Sequence, residues 1–348
     1  MNKRILGLVV ALVVIFGSLE LLREKARSGT HLRIFTWSNY FPDEFIESFT
    51  KKTGIKVEVS YFSSNEELFA KLKAGANGYD LIVPSDYMVG QLIRLGMALP
   101  LDQAALTNMS HLDDYYRTLP YDPGLKYSIP FTRGSTGIAI NTDKVKLDGD
   151  LISWSLLFNS PDPKRTSLLD DMREVFAGVL LFSGKPINTH DEPSLLIAKQ
   201  KITEIKDRIA LFSSEPLPLL LQGDVTVAHA YSTHGVLAHR ENPAINFYIP
   251  KEGATIWTDN FLIPKTNEAP GNAHTFLNYV LDPSNALVLY QSNHLATPNR
   301  DALAQMSEPE RTDPIFYPPA ATLKRMFYLE DLGEAMPTVS RLWTDLKS

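Results

Sequence analysis

Strand and helix signals alternate between residues 32 and 61, and this alternation restricts the fold more than any other feature of the chain. Leu32, Ile34 and Phe35 predict a strand at residues 32–35. The spacing of Phe45 and Phe49 then predicts a helix that ends at Gly54, before a second predicted strand at residues 55–61. Similar alternation continues along the chain and builds largely parallel sheets, so the predicted fold class is α/β.

Polar and aromatic residues follow two of the predicted strands. Trp37, Ser38 and Tyr40 occupy the first loop, and Ser85 with Tyr87 follows the strand predicted at residues 79–85. Both groups therefore lie at the carboxyl edge of the sheet, where α/β folds bind ligands. For Trp37 and Tyr40, packing of the rings in the core is an equally good interpretation. For Ser85, capping of the following helix is as good an interpretation as ligand contact and is compatible with it.

Length and cysteine content limit the organisation and the chemistry. A chain of 348 residues with 44% apolar content buries a sizeable core and favours two lobes or domains. The sequence contains no cysteine. Disulfides, thiolate metal sites, a cysteine nucleophile and a lipid-modified cysteine are therefore excluded.

The amino terminus resembles an export signal. Lys3 and Arg4 precede an uninterrupted apolar run at residues 5–16, but no A-x-A cleavage site follows it. Residues 1–29 are therefore predicted to be a signal peptide or an uncleaved amino-terminal anchor. Without them, 29 basic and 38 acidic residues remain, a net charge of about −9 that argues against nucleic acid and permits a cationic ligand.

Two extended segments, residues 129–140 and 252–259, predict strands that cross between lobes and form a hinge beside a cleft. The first contains G-S-T-G, which does not match the G-x-S-x-G nucleophile elbow of hydrolases. A third segment carries Asp171 and Glu174, three residues apart in the first turn of a predicted helix. Carboxylates are favoured there by the helix dipole alone, and the alternative is a pair of acceptors for an ammonium group.

Enzymatic interpretations are poorly supported by the remaining residues, and the chain is predicted not to be an enzyme. His229 and His234 lack the H-E-x-x-H spacing of zinc proteases, and no metal or cofactor is predicted. A glycosidase uses two carboxylates at a defined distance from each other. Asp171 and Asp259 could be such a pair, but the sequence does not fix the distance between them. A sugar or ferric-ion binding protein would use neutral groups, or tyrosines with histidine, and the acidic residues argue against both.

Six segments in order resemble the periplasmic spermidine/putrescine-binding proteins of ABC transporters over nearly all of residues 31–347. They are W-S-N-Y at 37–40, K-T-G-I-K-V at 52–57, Y-D-L-I-V-P-S-D-Y at 79–87, D-D-M-R-E-V-F at 170–176, P-K-E-G-A-T-I-W-T-D at 250–259 and A-T-P-N at 296–299. The resemblance implies a two-lobe periplasmic-binding-protein fold of class II, each lobe a mixed sheet flanked by helices. The implied lobes are residues 30–135 with 258–301, and residues 136–257 with 302–348.

Carried over to this chain, the resemblance implies ten ligand-binding residues, namely Trp37, Ser38, Tyr40, Ser85, Tyr87, Asp171, Glu174, Tyr231, Trp257 and Asp259. Three positions depart from the family pattern. Tyr231 replaces a tryptophan of triamine-binding members, and Leu295 and Leu329 align with a tyrosine and a glutamine. Asp171 favours a triamine, since diamine-binding members match the glutamate but not the aspartate.

The function that the resemblance implies is capture of a polyamine in the periplasm, with spermidine preferred to putrescine, and delivery to an ABC permease by a monomeric protein. The alternative is a binding protein for another small cationic or organic solute on the same scaffold.

Overall fold

The structure is a computed structural model that describes residues 30–38, 40–75, 78–147, 152–160 and 164–348. The predicted export segment, residues 1–29, lies outside the described residues. Within the described ranges, no helix combines the length and the apolar character needed to cross a bilayer.

Ten strands and fourteen α-helices form the described part of the chain. The strands are β1 (His31–Thr36), β2 (Lys56–Tyr61), β3 (Leu81–Ile82), β4 (Ser128–Asn141), β5 (Thr166–Leu168), β6 (Leu211–Phe212), β7 (Val227–Tyr231), β8 (Ile245–Tyr248), β9 (Ala254–Leu262) and β10 (Met326–Phe327). The α-helices are α1 (Asp43–Thr53), α2 (Asn65–Lys73), α3 (Asp86–Arg94), α4 (Ser155–Phe158), α5 (Met172–Phe182), α6 (Glu192–Ile205), α7 (Pro216–Gln222), α8 (Ser232–Glu241), α9 (Gly271–Leu281), α10 (Pro283–Asn293), α11 (Arg300–Leu303), α12 (Glu308–Arg311), α13 (Ala320–Leu323) and α14 (Met336–Lys347). Short 3-10 helices lie at Thr107–His111, Asp114–Thr118, Lys206–Arg208 and Gly333–Ala335.

The first strand, helix and second strand confirm the prediction from the sequence. β1 and β2 are parallel, with His31 opposite Lys56, and α1 connects them. α1 buries Phe45 and Phe49 and ends at Gly54, whose φ of 76° is a left-handed conformation that glycine adopts at low cost. The α/β alternation was therefore a reliable indicator of this unit.

All ten strands belong to one mixed sheet, with the order β2-β1-β3-β9-β4-β7-β5-β6, while β10 pairs with β9 and β8 pairs with β4. β1 is parallel to β2 and β3 on one side, and β5 is parallel to β6 and β7 on the other. The long strands β4 and β9 lie antiparallel between these two groups. The two predicted crossover segments are therefore confirmed as strands that connect the lobes.

The two-lobe α/β fold class is confirmed, with one refinement to the predicted pair of sheets. The first half of β4 pairs with β9, where Ser128 lies opposite Leu262, and the second half pairs with β7, where Ile140 lies opposite Val227. The strands of the two lobes are consequently joined in a continuous hydrogen-bonded path. The lobe boundaries near residues 135, 257 and 301 stay a prediction.

Alternate residues of β1 support two apolar cores on opposite faces of the sheet. Leu32 belongs to a core that also contains Phe49 and Phe276, whereas Phe35 belongs to a second core that extends to Phe176. This separation follows from the two-residue period of a strand. Helices cover both faces, so binding groups are left to the loops and helix starts at the strand ends.

Candidate functional site

One cavity, with about 830 Å³ of empty space counted with its open mouth, lies beside β9 and receives residues from both lobes. Its lining comes from the loop after β1, the starts of α3 and α5, the end of β7 and the middle of β9. All ten residues predicted from the sequence line it, namely Trp37, Ser38, Tyr40, Ser85, Tyr87, Asp171, Glu174, Tyr231, Trp257 and Asp259. Their contact with a ligand stays a prediction.

Asp259 is held at one corner of the cavity by two hydroxyl groups. Ser85 donates to Oδ1 at 2.6 Å, and the Tyr40 hydroxyl donates to Oδ2. Asn65 fixes Ser85 in turn, because its amide donates to the hydroxyl at 3.1 Å and its carbonyl accepts from the backbone N–H at 3.0 Å. Ser85 is the N-cap residue of α3, as predicted, but its hydroxyl makes no capping hydrogen bond and donates to Asp259 instead. Burial raises the pKa of Asp259 to about 6, although both hydroxyls act in the opposite direction.

Asp171 caps α5 and faces the cavity at the same time. Its Oδ1 accepts from the backbone N–H groups of Arg173 at 2.9 Å and Glu174 at 3.1 Å, while Oδ2 accepts from the Tyr231 hydroxyl at 3.1 Å. The prediction that both carboxylates lie at the helix amino terminus is therefore correct, although Asp171 is the N-cap and only Glu174 is in the first turn. This position does not compete with a place in the cavity. Desolvation raises the pKa of Asp171.

Glu174 lies one turn further along α5 and is equally buried. Its Oε2 accepts from the Thr255 hydroxyl at 2.6 Å, which links α5 to β9. Burial and repulsion by Asp171 raise the pKa of Glu174 to about 8. The carboxylates in this part of the cavity are poorly hydrated. A positively charged group that enters there would therefore stabilise their ionised form.

Trp257 forms an aromatic wall, and its position depends on a glycine behind it. The indole N–H donates to the Thr136 hydroxyl at 3.2 Å, and the ring is perpendicular to Tyr231 at a centroid distance of 6.0 Å. Gly134 lies behind the ring, where a Cβ atom would overlap Cη2 and Cζ2 of the indole. Trp37 faces the same cavity and packs edge-on against Phe62, with ring centroids 4.6 Å apart.

Two acidic residues, Asp86, which is buried, and Glu66, which is partly buried, were missed by the sequence reasoning. Asp86 lines the cavity, accepts from the backbone N–H groups of Thr258 at 3.0 Å and Tyr87 at 2.8 Å, and has a pKa raised by burial to about 8. Glu66 accepts from the Tyr87 hydroxyl at 3.0 Å, and burial raises its pKa to about 7. The D-Y pair directly after Ser85 was the available signal for Asp86.

Arg173 compensates part of this charge. Among the described residues it is the only lysine or arginine that is fully buried, at 2% exposure. Its guanidinium lies 5.1 Å from the Tyr87 ring and donates to the Glu330 carbonyl oxygen at 3.0 Å. One buried cation beside several buried carboxylates leaves the cavity suited to a positively charged ligand.

Two further polar residues of the cavity, Glu215 and His234, were missed by the sequence reasoning, and both lie near the predicted Ser38. Ser38 donates its hydroxyl to Oε1 of Glu215, and Nε2 of His234 lies 3.6 Å from Oε2. The side chain of Glu215 is 49% exposed, in contrast with the inner carboxylates. The sequence offered no local signal, because these three residues come from distant parts of the chain.

Leu295 and Leu329 both line the cavity, in agreement with their alignment to polar positions of the resembled family. The other histidine of the H-A-Y-S-T-H segment does not. His229 is buried, packs edge-on against Trp154 at 5.1 Å, and has a pKa lowered by burial to about 3. In the described ranges, no group of three His, Cys, Asp or Glu side chains is arranged to hold a metal ion.

The fold and the cavity together define a two-lobe solute-binding protein whose site, built from carboxylates and aromatic rings, favours small cations. The chain belongs to the bacterial extracellular solute-binding protein family, whose model matches residues 44–316. It is 34% identical to spermidine/putrescine-binding periplasmic protein 1 of Haemophilus influenzae, over 94% of this chain and 92% of that protein. It is 32% identical to the putrescine-binding periplasmic protein PotF of Escherichia coli, over 100% of this chain and 99% of that protein.

A solved relative has the same fold. The spermidine/putrescine ABC transporter substrate-binding protein PotD of Streptococcus pneumoniae superposes with a TM-score of 0.75 and 28% identity, over 91% of this chain and 98% of that one. The family and these relatives are solute-binding proteins and not enzymes, and the Streptococcus pneumoniae protein is named as the substrate-binding protein of an ABC transporter.

Proposed function

We propose that this protein binds a linear polyamine, spermidine in preference to putrescine, and delivers it to the permease of an ABC transporter. The observation that carries the proposal is the convergence of Asp171, Glu174 and Asp259 in one cavity, each at most 4% exposed, beside the ring of Trp257. Carboxylates accept charge-assisted hydrogen bonds from ammonium groups, and an indole face attracts a cation and covers methylenes.

The raised pKa values of these carboxylates support the same proposal. A buried carboxylate that lacks a cation favours the protonated form, and an ammonium group beside it restores the charged form. The ligand therefore relieves a desolvation cost that the empty site carries. A flexible diamine or triamine is selected by the spacing of its nitrogens relative to the carboxylates.

Capture by closure is the proposed mechanism. Residues of the first lobe, such as Trp37 and Asp259, hold one side of the ligand, and residues of the second lobe, such as Asp171 and Glu174, hold the other. Closure is then favoured by contacts that exist only when the lobes are together. Saturating spermidine is expected to lower the radius of gyration measured by small-angle X-ray scattering. An unchanged radius would contradict closure.

The triamine preference rests on Asp171, which the resemblance associates with triamine-binding members. The names of the relatives support the ligand class, since the Haemophilus influenzae protein is named for both polyamines and the Escherichia coli protein for putrescine.

The proposed location is the periplasm, which the names of the same relatives support, and the proposed state is a monomer. Residues 1–29 would direct export and then be removed or hold the protein at the inner membrane. The mass of the mature protein, together with its fractionation between periplasm and membrane, distinguishes these two outcomes.

Isothermal titration of residues 30–348 tests the function, after unfolding and refolding to remove any ligand carried through purification. Spermidine is expected to bind with a dissociation constant of about 1 μM or lower, and putrescine more weakly. If neither spermidine nor putrescine binds, the proposal is overturned. The ligand would then be another small cationic or organic solute, selected by the apolar side chains of Leu295 and Leu329.

Asp259→Asn is expected to weaken spermidine binding by at least ~1.5 kcal/mol, because the amide keeps the shape but loses one charge-assisted hydrogen bond. Isothermal titration measures the change. Asp345→Asn is the matched control, since Asp345 is 48% exposed and pairs with Lys199 outside the cavity. Wild-type affinity in Asp259→Asn would remove Asp259 from the site.

A further inference from the structure

Glu215 differs from the other carboxylates of the cavity in its position. It directly precedes α7 in the second lobe, yet its Oε1 accepts from Ser38, which follows β1 in the first lobe. α7 packs against β7. In the sheet, β7 and β1 lie on opposite sides of the β4–β9 pair. Glu215 therefore stands where the two lobes meet at the open end of the cavity.

The hydrogen-bonding capacity of Glu215 is largely unused. Asp171 accepts three hydrogen bonds and Asp259 accepts two, one on each oxygen. Glu215 accepts one from Ser38, and within the described part of the chain the ionisable neighbour of its second oxygen is His234, whose Nε2 lies 3.6 Å away. Burial lowers the pKa of His234, although the Glu215 carboxylate acts in the opposite direction, so burial favours the neutral imidazole.

Two rings separate Glu215 from the inner carboxylates. The Tyr231 hydroxyl donates to Asp171, the Tyr231 ring lies 5.9 Å from the His234 ring, and His234 approaches Glu215. All four residues line the same cavity. A ligand that leaves the inner carboxylates along the Tyr231 ring therefore reaches Glu215 next.

We propose that Glu215 binds the outer ammonium group of a linear polyamine that has three or more amino groups, and so determines selectivity for ligand length. The inference rests on the proposed function. Glu174 and Asp259 hold the two ends of a diamine. A triamine extends past them along the Tyr231 ring toward Asp171, and its last nitrogen then lies between Asp171 and the second oxygen of Glu215. Ser38 and His234 position that carboxylate across the mouth.

Glu215→Gln separates this role from a purely structural one, because glutamine still accepts the Ser38 hydroxyl but carries no charge. Titration of the stripped protein is expected to show spermidine affinity lowered at least about tenfold, the scale of one hydrogen bond to a charged group. Putrescine affinity should change less than about twofold. Glu215→Asp should recover part of the spermidine affinity.

Two further variants make the outcome decisive. Ser38→Ala keeps the charge of Glu215 but removes the hydrogen bond between the lobes. It should therefore lower the affinities for spermidine and putrescine by a similar factor. Glu192→Gln removes a charge from a side chain that is 53% exposed and paired with Arg341 outside the cavity, and should leave both affinities unchanged. Equal losses for spermidine and putrescine in Glu215→Gln, or no loss at all, would overturn the proposal. Failure of the wild type to bind either polyamine would instead reject the proposed function.

Discussion

Gly134→Ala is expected to weaken spermidine binding about 100-fold, or ~2.7 kcal/mol. The added methyl group overlaps the indole of Trp257 and lies 2.8 Å from the Ser232 hydroxyl oxygen, so the ring must move into the cavity. The ligand would then lose both the apolar cover of its methylenes and the cation–π attraction. The same crowding should lower the free energy of unfolding by about 1–3 kcal/mol. Titration calorimetry and denaturant unfolding measure the two effects.

Gly271→Ala is the matched control for this substitution. Gly271 begins α9, and a Cβ atom there meets no atom within 4 Å, so affinity should be unchanged and stability equal or slightly higher. The double variant Gly134→Ala with Trp257→Phe tests the cause, because a smaller ring relieves the overlap and the two stability losses should not add. Additive losses, or full affinity in Gly134→Ala, would show that Trp257 does not depend on Gly134.

Spermidine affinity is expected to fall about 100-fold between pH 8 and pH 6. In the free protein the pKa of Glu174 is raised to about 8 and that of Asp259 to about 6, and neighbouring ammonium groups lower both pKa values in the complex. Binding therefore releases protons, and each tenfold step in affinity per pH unit corresponds to about one proton. Titration in buffers with different ionisation enthalpies measures both the affinity and the released protons.

The stability of the ligand-free protein should have the opposite dependence on pH. Glu174 and Asp86 have folded-state pKa values of about 8, above those of the unfolded chain, so their contribution to stability is complete at low pH and is lost as pH rises through 8. The melting temperature of the free protein should thus fall from pH 6 to pH 8.5. Over the same range, the rise in melting temperature on adding spermidine should become larger. Glu174→Gln should flatten both trends, and an affinity independent of pH would contradict the account.

The local part of this site was predictable from sequence. Trp37 and Ser85 follow strands, and Asp171 precedes a helix, so the ends of the elements indicated positions near the edge of the sheet. Hydrophobic periodicity locates such elements, because it reflects which side chains are buried. The same reasoning placed the crossover strands around residues 129–140 and 252–259, where β4 and β9 are found.

The long-range part was not predictable in the same way. Asp86 binds the N–H of Thr258, 172 residues away, and Ser38 binds Glu215, 177 residues away. Such pairs depend on how the two lobes meet, which no local pattern records. The strand predicted at residues 79–85 shortens to Leu81–Ile82 for a different, local reason, since Pro84 has no N–H to continue the ladder.

The four tryptophans make this protein an optical reporter of its own occupancy. Trp37 and Trp257 line the cavity, whereas Trp154 is buried with its N–H on the Gly253 carbonyl oxygen, and Trp343 packs edge-on against Phe212. Emission from the first pair responds to whatever enters the cavity, and the second pair supplies a steady background. Aliphatic amines do not absorb light in the range used to excite tryptophan. Tryptophan emission can therefore follow their binding in real time without a label.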